Sequence, residues 1–373
     1  MPGRDAFQEA ARQLTICNAC RYCEGYCAVF PAMELRRAFT AGDIAFLAHL
    51  CHDCRACHYA CMYTPPHEFA VNIPQVLSTV RVATYARYSW PPVLARLFHD
   101  RLLTAAVTAG AVALVTALTW LFAGPGRLFA LHRGPGAFYE VIAYWAMLIP
   151  GLTAGVYAMA VWLAGGARFW REIGEPAQPL TSGILAGAAG DALTLRWLRG
   201  GGPGCPYPRA SASGARRLLH GLVFYGFASA LASTTLAAVY QDLLHRLPPY
   251  PVTSVPVVLG SLGGVAMIAG SAGLISLKLA GDREPAEARS VALDYAFLIL
   301  LGLASLTGIL TLVLRDTRAM GVLLAVHLGV VAALFVTAPY GKFVHAVYRY
   351  LALVKNRAEQ RAAAPPAAPH GTF

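Results

Sequence analysis

Two runs of one pattern decide how this chain reads: CNACRYCEGYC over residues 17–27 and CHDCRACHYAC over residues 51–61. Each is C-x2-C-x2-C-x3-C. The first holds Cys17, Cys20, Cys23 and Cys27, and the second holds Cys51, Cys54, Cys57 and Cys61. Only Cys205, of the nine cysteines, lies elsewhere. Such crowding points to a metal site rather than to scattered disulfide bridges. The spacing is the one that holds [4Fe–4S] clusters in two-cluster ferredoxins, where the fourth cysteine of each run ligates the other cluster. The expectation is therefore crossed. Cys17, Cys20, Cys23 and Cys61 hold cluster one, and Cys51, Cys54, Cys57 and Cys27 hold cluster two. Structural zinc is the competing reading, but zinc sites use two cysteine pairs set apart by a linker. Two complete four-cysteine runs leave no such pairing, and His52, His58 and His67 are not needed as ligands.

The residues around the runs set the local fold. Residues 33–50 read as a helix with Leu35, Phe39, Phe46, Leu47 and Leu50 apolar, and residues 68–88 read as helical despite Pro74. Alternating β-branched residues are missing. The segment resembles the α-helical ferredoxin domains of fumarate reductases and heterodisulfide-reductase-like subunits, not the small βαβ ferredoxin. Residues 1–97 are expected to form this domain. Met1 to Leu14 is mixed polar and has no apolar signal-peptide core, so the domain is expected in the reducing cytoplasm, where thiolates stay available.

Beyond it the composition changes. The 373 residues are 57% hydrophobic and 13% charged, with mean hydropathy +0.51, against about 45–50% apolar and about 25% charged in soluble domains. Apolar stretches fall at about 102–123, 137–164, 217–241, 255–279, 291–314 and 319–350. Each is long enough to cross a bilayer, which takes about 20 residues. The expected fold is all-α: the two-cluster domain, a six-helix membrane bundle over 98–357, and a disordered Ala/Pro-rich tail over 358–373. Within the 165–216 connection, residues 180–198 read as a short amphipathic helix, and Gly200–Gly204 with Pro203, Pro206 and Pro208 as a flexible stretch in which Cys205 is incidental. The loops on one side carry Arg127, Arg133, Arg246, Arg315 and Arg318, five of the 30 basic residues. By the positive-inside rule both termini are cytoplasmic, at a bacterial inner membrane. The net charge of +11 belongs to that asymmetry and gives no reason to invoke nucleic acid as a partner.

Ionisable residues within spans are costly and usually functional. His220 opens span three and His345 closes span six, so they are expected at matching depth, able to hold one haem b iron between them. His327 lies 18 residues before His345. On one helix that is about five turns and about 27 Å, which makes His327 a candidate for a second haem or a quinone contact, although no span offers it a partner. Asp294 and Lys342 are candidates for a quinone site; interfacial anchoring is the plainer reading of both. Gly260 and Gly264 read as close helix packing. Arg36, Arg37 and Arg55 are expected on an exposed basic face that steers a partner.

These features converge. The twin cysteine runs precede a membrane domain carrying HGLVFYGF at 220–227, LDYAFL at 293–298 and PYGKFVH at 339–345. Over residues 10–357 the chain resembles the tricarballylate utilization protein B family, also known as citrate utilization protein B. The resemblance implies a membrane electron-transfer subunit. A partner FAD-containing dehydrogenase oxidises tricarballylate, and electrons pass through two [4Fe–4S] clusters and haem b to the quinone pool. The membrane part also resembles haem-b subunits of nitrate reductases, in which two histidines 18 apart on one helix serve two haems. No Gly-rich nucleotide fingerprint is present, so no flavin site is expected in this chain. The competing classes are a membrane-anchored iron–sulfur redox sensor and a transporter-associated protein. A tricarboxylate carrier would need cations within its spans, and almost none are there.

Overall fold

The computed structural model describes residues 2–97, 101–176, 178–200, 202 and 204–363. The cluster-bearing part comprises α1 (Pro2–Cys20), α2 (Val29–Glu34), α3 (Ala41–Leu50), α4 (Ala56–Ala60), α5 (Ile73–Tyr88) and α6 (Pro92–Leu97). The rest comprises α7 (Arg101–Leu128), α8 (Ala137–Val141), α9 (Tyr144–Ile173), α10 (Ser182–Leu193), α11 (Ala215–Ala238), α12 (Val255–Leu279), α13 (Ala288–Val313), α14 (Met320–Thr337) and α15 (Val344–Ala363). Strands among the described residues are confined to the pair β1 (Cys205–Pro206) and β2 (Ala212–Ser213), antiparallel. The chain is all-α, as expected.

Local chemistry explains where helices start and stop. The expected helix over 33–50 is broken. Arg36 donates to Ala32 O at 2.5 Å and pairs with Asp43 at 2.6 Å, closing α2. Thr40 and Asp43 then form a reciprocal capping box that restarts the chain as α3. The helix expected over 68–88 begins instead at Ile73. Asn72 caps it, and Pro74 sits in the first turn, where its missing N–H costs nothing.

Among the described residues six helices are long and apolar enough to cross a membrane: Leu102–Leu128, Tyr144–Ile173, Ala215–Leu243, Val255–Leu279, Ala288–Val313 and Met320–Thr337. The chain is a multi-pass membrane protein. Two expected spans are redrawn. The stretch 137–164 divides into α8 and a separate α9 at Ile142–Ala143, and α9 runs on to Ile173. The stretch 319–350 divides at residues 338–343. Pro339 offers no N–H and its ring collides with the carbonyl one turn back, and Gly341 N–H instead turns back to Thr337 O at 2.8 Å. His327 and His345 therefore lie on different helices, and the expected shared face five turns apart does not exist.

Helices α11 and α12 pack closely through small residues. A Cβ on Gly226 would lie 2.8 Å from Gly263 O, and one on Gly263 would lie 2.7 Å from Gly226 O. Ser229 and Ser233 donate across the seam to Leu259 O and Pro256 O. A Cβ on Gly260 would meet Ser233, and one on Gly264 would meet Ile309 of α13. These are the close approaches that stabilise helix pairs in lipid, where burial of apolar surface gives no drive.

The main core does not stop at residue 97. Leu14, Phe46, Leu47, Leu50, Leu77, Tyr85 and Tyr88 pack with Phe169 and Ile173 from the end of α9, and with Val344, Tyr348, Ala352 and Leu353 from α15. The membrane spans and the cluster-bearing part are thus joined through one core. The expected disordered tail is also shorter. Residues 358–363 continue α15 because Glu359 pairs with Arg36 at 2.9 Å and Arg357 grips Asp191 at 2.7 and 2.8 Å. Residues 364–373 of that expected tail, with Gly201 and Pro203 of the Gly200–Gly204 stretch, lie outside the described residues.

Candidate metal centres and the membrane junction

Cys17 and Cys20 close the long α1, with Cys23 and Cys27 on the turns after it, while Cys51 caps α3, Cys57 lies on the short α4 and Cys61 caps it. Arg21, Asp53 and Arg55 take left-handed backbone angles, φ +56, +52 and +66. Such angles are uncommon outside glycine and wind the chain tightly within each run. Cys61 is an electrostatic neighbour of Cys17, Cys20 and Cys23. Cys27 is a neighbour of Cys51, Cys54 and Cys57. The fourth cysteine of each run thus lies near the first three of the other, and Cys57 is in addition a neighbour of Cys23.

Burial, with mutual repulsion among thiolates, pushes Cys17, Cys23 and Cys54 up to about 12 and raises Cys27 and Cys57 well above the ordinary thiol value. Bare thiols so placed stay protonated at neutral pH. A bound metal cation is what converts them to thiolate ligands. Two backbone N–H groups already point at ligand sulfurs, Asp53 to Cys51 Sγ at 3.4 Å and Tyr63 to Cys61 Sγ at 3.3 Å.

The groups differ in setting. Cys20 is exposed, and beside it Tyr22 and Met62 are 61% and 65% exposed. Cys51 and Cys54 are buried. Cys205, expected to be incidental, is fully buried and packs with Cys54, Ala56 and Tyr207. Its Sγ lies 3.9 Å from Arg216 Nη1.

The second group faces the membrane junction. Arg349 donates to Cys51 O at 2.9 Å, Arg216 donates to His52 O at 2.9 Å and Asp53 O at 2.7 Å, and Arg81 donates to Cys51 O at 3.1 Å and Ala48 O at 2.9 Å. Arg216 is four residues before His220 and Arg349 four after His345, one helical turn in each case. Each arginine therefore ties a candidate haem histidine to the second cysteine run. His220 and His345 are electrostatic neighbours of each other, and His52 is a neighbour of His220. His345 Nδ1 donates to Lys342 O at 2.5 Å, which leaves Nε2 free as a ligand. Among the described residues the buried His220 Nδ1 has no hydrogen-bond partner. An orphaned imidazole nitrogen beside a second imidazole with one free nitrogen fits a bis-histidine iron site.

His327 is placed otherwise. Its Nδ1 bonds Thr307 Oγ1 at 3.0 Å, and a Cβ on Gly308 would lie 3.1 Å from its Cε1. The ring is wedged between α13 and α14. No other histidine falls in the six spans except His220. Asp294 is clamped by Lys278 Nζ at 2.6 Å and Lys342 Nζ at 2.7 Å, an ion triad at the bundle's end in which one carboxylate is shared by two ammonium groups. Above it Leu293, Phe297, Leu334, Thr337 and Phe343 line a narrow apolar recess that includes Lys342.

Two expectations about the surface fail. Arg36 is locked between Asp43 and Glu359. Arg55 is 2% exposed and stacks on Tyr207 at 4.4 Å. Arg37 and Arg21 are the exposed cations nearby. Sequence reasoning missed Arg81, Arg216, Arg349, Lys278 and Cys205. The four-residue spacings 216–220 and 345–349 were the readable signal for two of them. Arg81 and Cys205 owe their places to long-range packing.

The fold and the site define a membrane protein that carries a ferredoxin-like iron–sulfur domain on a six-helix bundle. The citrate utilization protein B family matches residues 96–366, and the citrate utilization protein B Fer4-like domain matches residues 10–87. Citrate utilization protein B of Escherichia coli is 44% identical over 358 residues, covering 95% of this chain and 92% of that protein. The chain belongs to the citrate utilization protein B family. No solved structure matches it.

Proposed function

We propose that this chain reoxidises a partner FAD-containing dehydrogenase, of the kind that oxidises tricarballylate, and delivers the electrons to the membrane quinone pool. The family supports a role in citrate or tricarboxylate utilization, and the Fer4-like domain supports iron–sulfur clusters. In this reading Cys17, Cys20, Cys23 and Cys61 hold one [4Fe–4S] cluster, and Cys51, Cys54, Cys57 and Cys27 hold the other. His220 and His345 hold one haem b. When bound, these groups supply one-electron carriers, while the protein supplies position and electrostatics. Asp294 and Lys342 flank the recess where a quinone head group would meet the bundle. The side bearing the cluster domain and α15 is cytoplasmic, because the opposite loops carry so few cations.

One observation carries the proposal. Arg216 and Arg349 each join the backbone of the second cysteine run to a helix bearing a candidate haem histidine. That arrangement links the second cysteine run directly to the bundle. A redox sensor has no need of paired histidines at that junction. The test is anaerobic mixing of a reduced flavoprotein dehydrogenase with proteoliposomes that contain this protein and a quinone. Flavin reoxidation coupled to quinone reduction is expected. Flavin that stays reduced, with the protein fully loaded, overturns the proposal.

A further inference from the structure

We propose that Arg81, Arg216 and Arg349 are the counter-charge of the cluster bound by Cys51, Cys54, Cys57 and Cys27, and that they hold its reduction potential above that of the cluster bound by Cys17, Cys20, Cys23 and Cys61. This rests on the reading that the two cysteine groups bind [4Fe–4S] clusters.

Buried charge without a partner is costly, and proteins pair it. Arg81 is 4% exposed, and Arg216 and Arg349 are largely covered at the junction of α11, α15 and the second run. Their hydrogen bonds go to backbone carbonyls, to Ser78 Oγ from Arg81 and to Cys205 Sγ from Arg216. Among the described residues none of the three has a carboxylate within 4.0 Å. Asp53 lies within electrostatic reach of Arg81 and Arg216 and offsets part of the charge. Among the described residues the buried Arg349 Nε has no hydrogen-bond partner. The nearby groups that become anionic when metal binds are the thiols: Cys51 beside Arg81 and Arg349, and Cys54 beside Arg216.

The consequence for redox follows from charge. A [4Fe–4S] unit held by four thiolates is anionic, and reduction adds one electron and one more negative charge, with no bond formed or broken. Burial alone disfavours the more highly charged form and lowers the potential. Nearby fixed cations in a poorly solvated site act oppositely and more strongly than they would in water. The first group has no such cage. Cys20 is exposed, Arg21 beside it is exposed and bonds Asn18 O, and Glu24 lies in the same run. Solvent screens what charge there is. The gradient therefore favours electrons on the group nearest the bundle.

The test is a dithionite potentiometric titration of purified holoprotein followed by paramagnetic resonance, with the signal lost in Cys54→Ser taken as the caged cluster. In Arg216→Gln and Arg349→Gln the reduced-to-oxidised ratio of that signal should fall at least tenfold at a fixed solution potential, which for one electron is about 59 mV. The other signal should move far less. Arg216→Lys and Arg349→Lys keep the charge and should keep the potential. If a Gln variant fails to hold iron, the matching Lys variant decides. Recovered iron with a parental midpoint supports the charge role, and a lowered midpoint or lost iron in the Lys variant overturns it. Full iron with both midpoints unmoved in the Gln variants also overturns it. Absence of cluster iron from the unmodified protein would instead remove the underlying cluster reading.

Discussion

The two cysteine runs have one spacing and two environments. The first includes exposed Cys20, with exposed Tyr22 beside it and exposed Met62 next to Cys61. The second opens on buried Cys51 and Cys54, and its backbone carbonyls accept from arginines of α5, α11 and α15. Identical ligand chemistry is thus divided by surroundings into an outward-facing group and an inward-facing one. On the proposed reading, the residues around each group, rather than its ligands, would set its potential and its access.

The comparison breaks most severely if the groups are not crossed. Cys27→Ser should damage the cluster at Cys51, Cys54 and Cys57, and Cys61→Ser the one at Cys17, Cys20 and Cys23. Each should remove about half the cluster iron. Iron and sulfide counts with paramagnetic resonance check this, and loss of the same-run cluster contradicts it.

The inward side is sharpened by the histidines. His220→Ala or His345→Ala should abolish a low-spin haem spectrum or turn it high-spin, while both clusters remain reducible. His327→Ala should leave that haem in place, since its ring is packed against Gly308 and bonded to Thr307. Visible spectra of the three variants decide between these positions.

Next in size is the ion triad beneath the junction. Asp294→Asn leaves the partly covered Lys278 and Lys342 without their shared anion and should lower stability by about 3 kcal/mol, read as a fall in melting temperature in detergent. Asp294→Asn with Lys278→Met should recover part of that loss.

The smallest effect belongs to the outward side. Arg21→Gln and Arg37→Gln should slow reduction by the partner a few-fold, with the difference vanishing at high salt, because exposed charges act mainly on encounter. Arg216→Gln should leave that bimolecular rate unchanged. Stopped-flow rates against ionic strength check both.

Much of this was legible in sequence because the signals are local. The cysteine spacing, the six apolar stretches and the isolated His220 and His345 need no tertiary knowledge. The failures share a cause in long-range packing and in breakers. Pro339 and Gly341 end α14, which separates His327 from His345. Thr40 and Asp43 restart a helix that apolar periodicity alone would run through. Arg36 and Arg55 read as surface charge because nothing near them in sequence shows Glu359 or Tyr207 waiting. The mixed core of α3, α5, α9 and α15 joins residues from both ends of the chain. No pattern within either segment records that contact.

The most direct test of the account is the visible spectrum of the purified protein, oxidised and dithionite-reduced, with metal analysis on the same sample. The account predicts a sharp reducible b-type haem band together with about eight non-haem irons per chain. Iron clusters with no haem band, or zinc in place of the cluster iron, would contradict it.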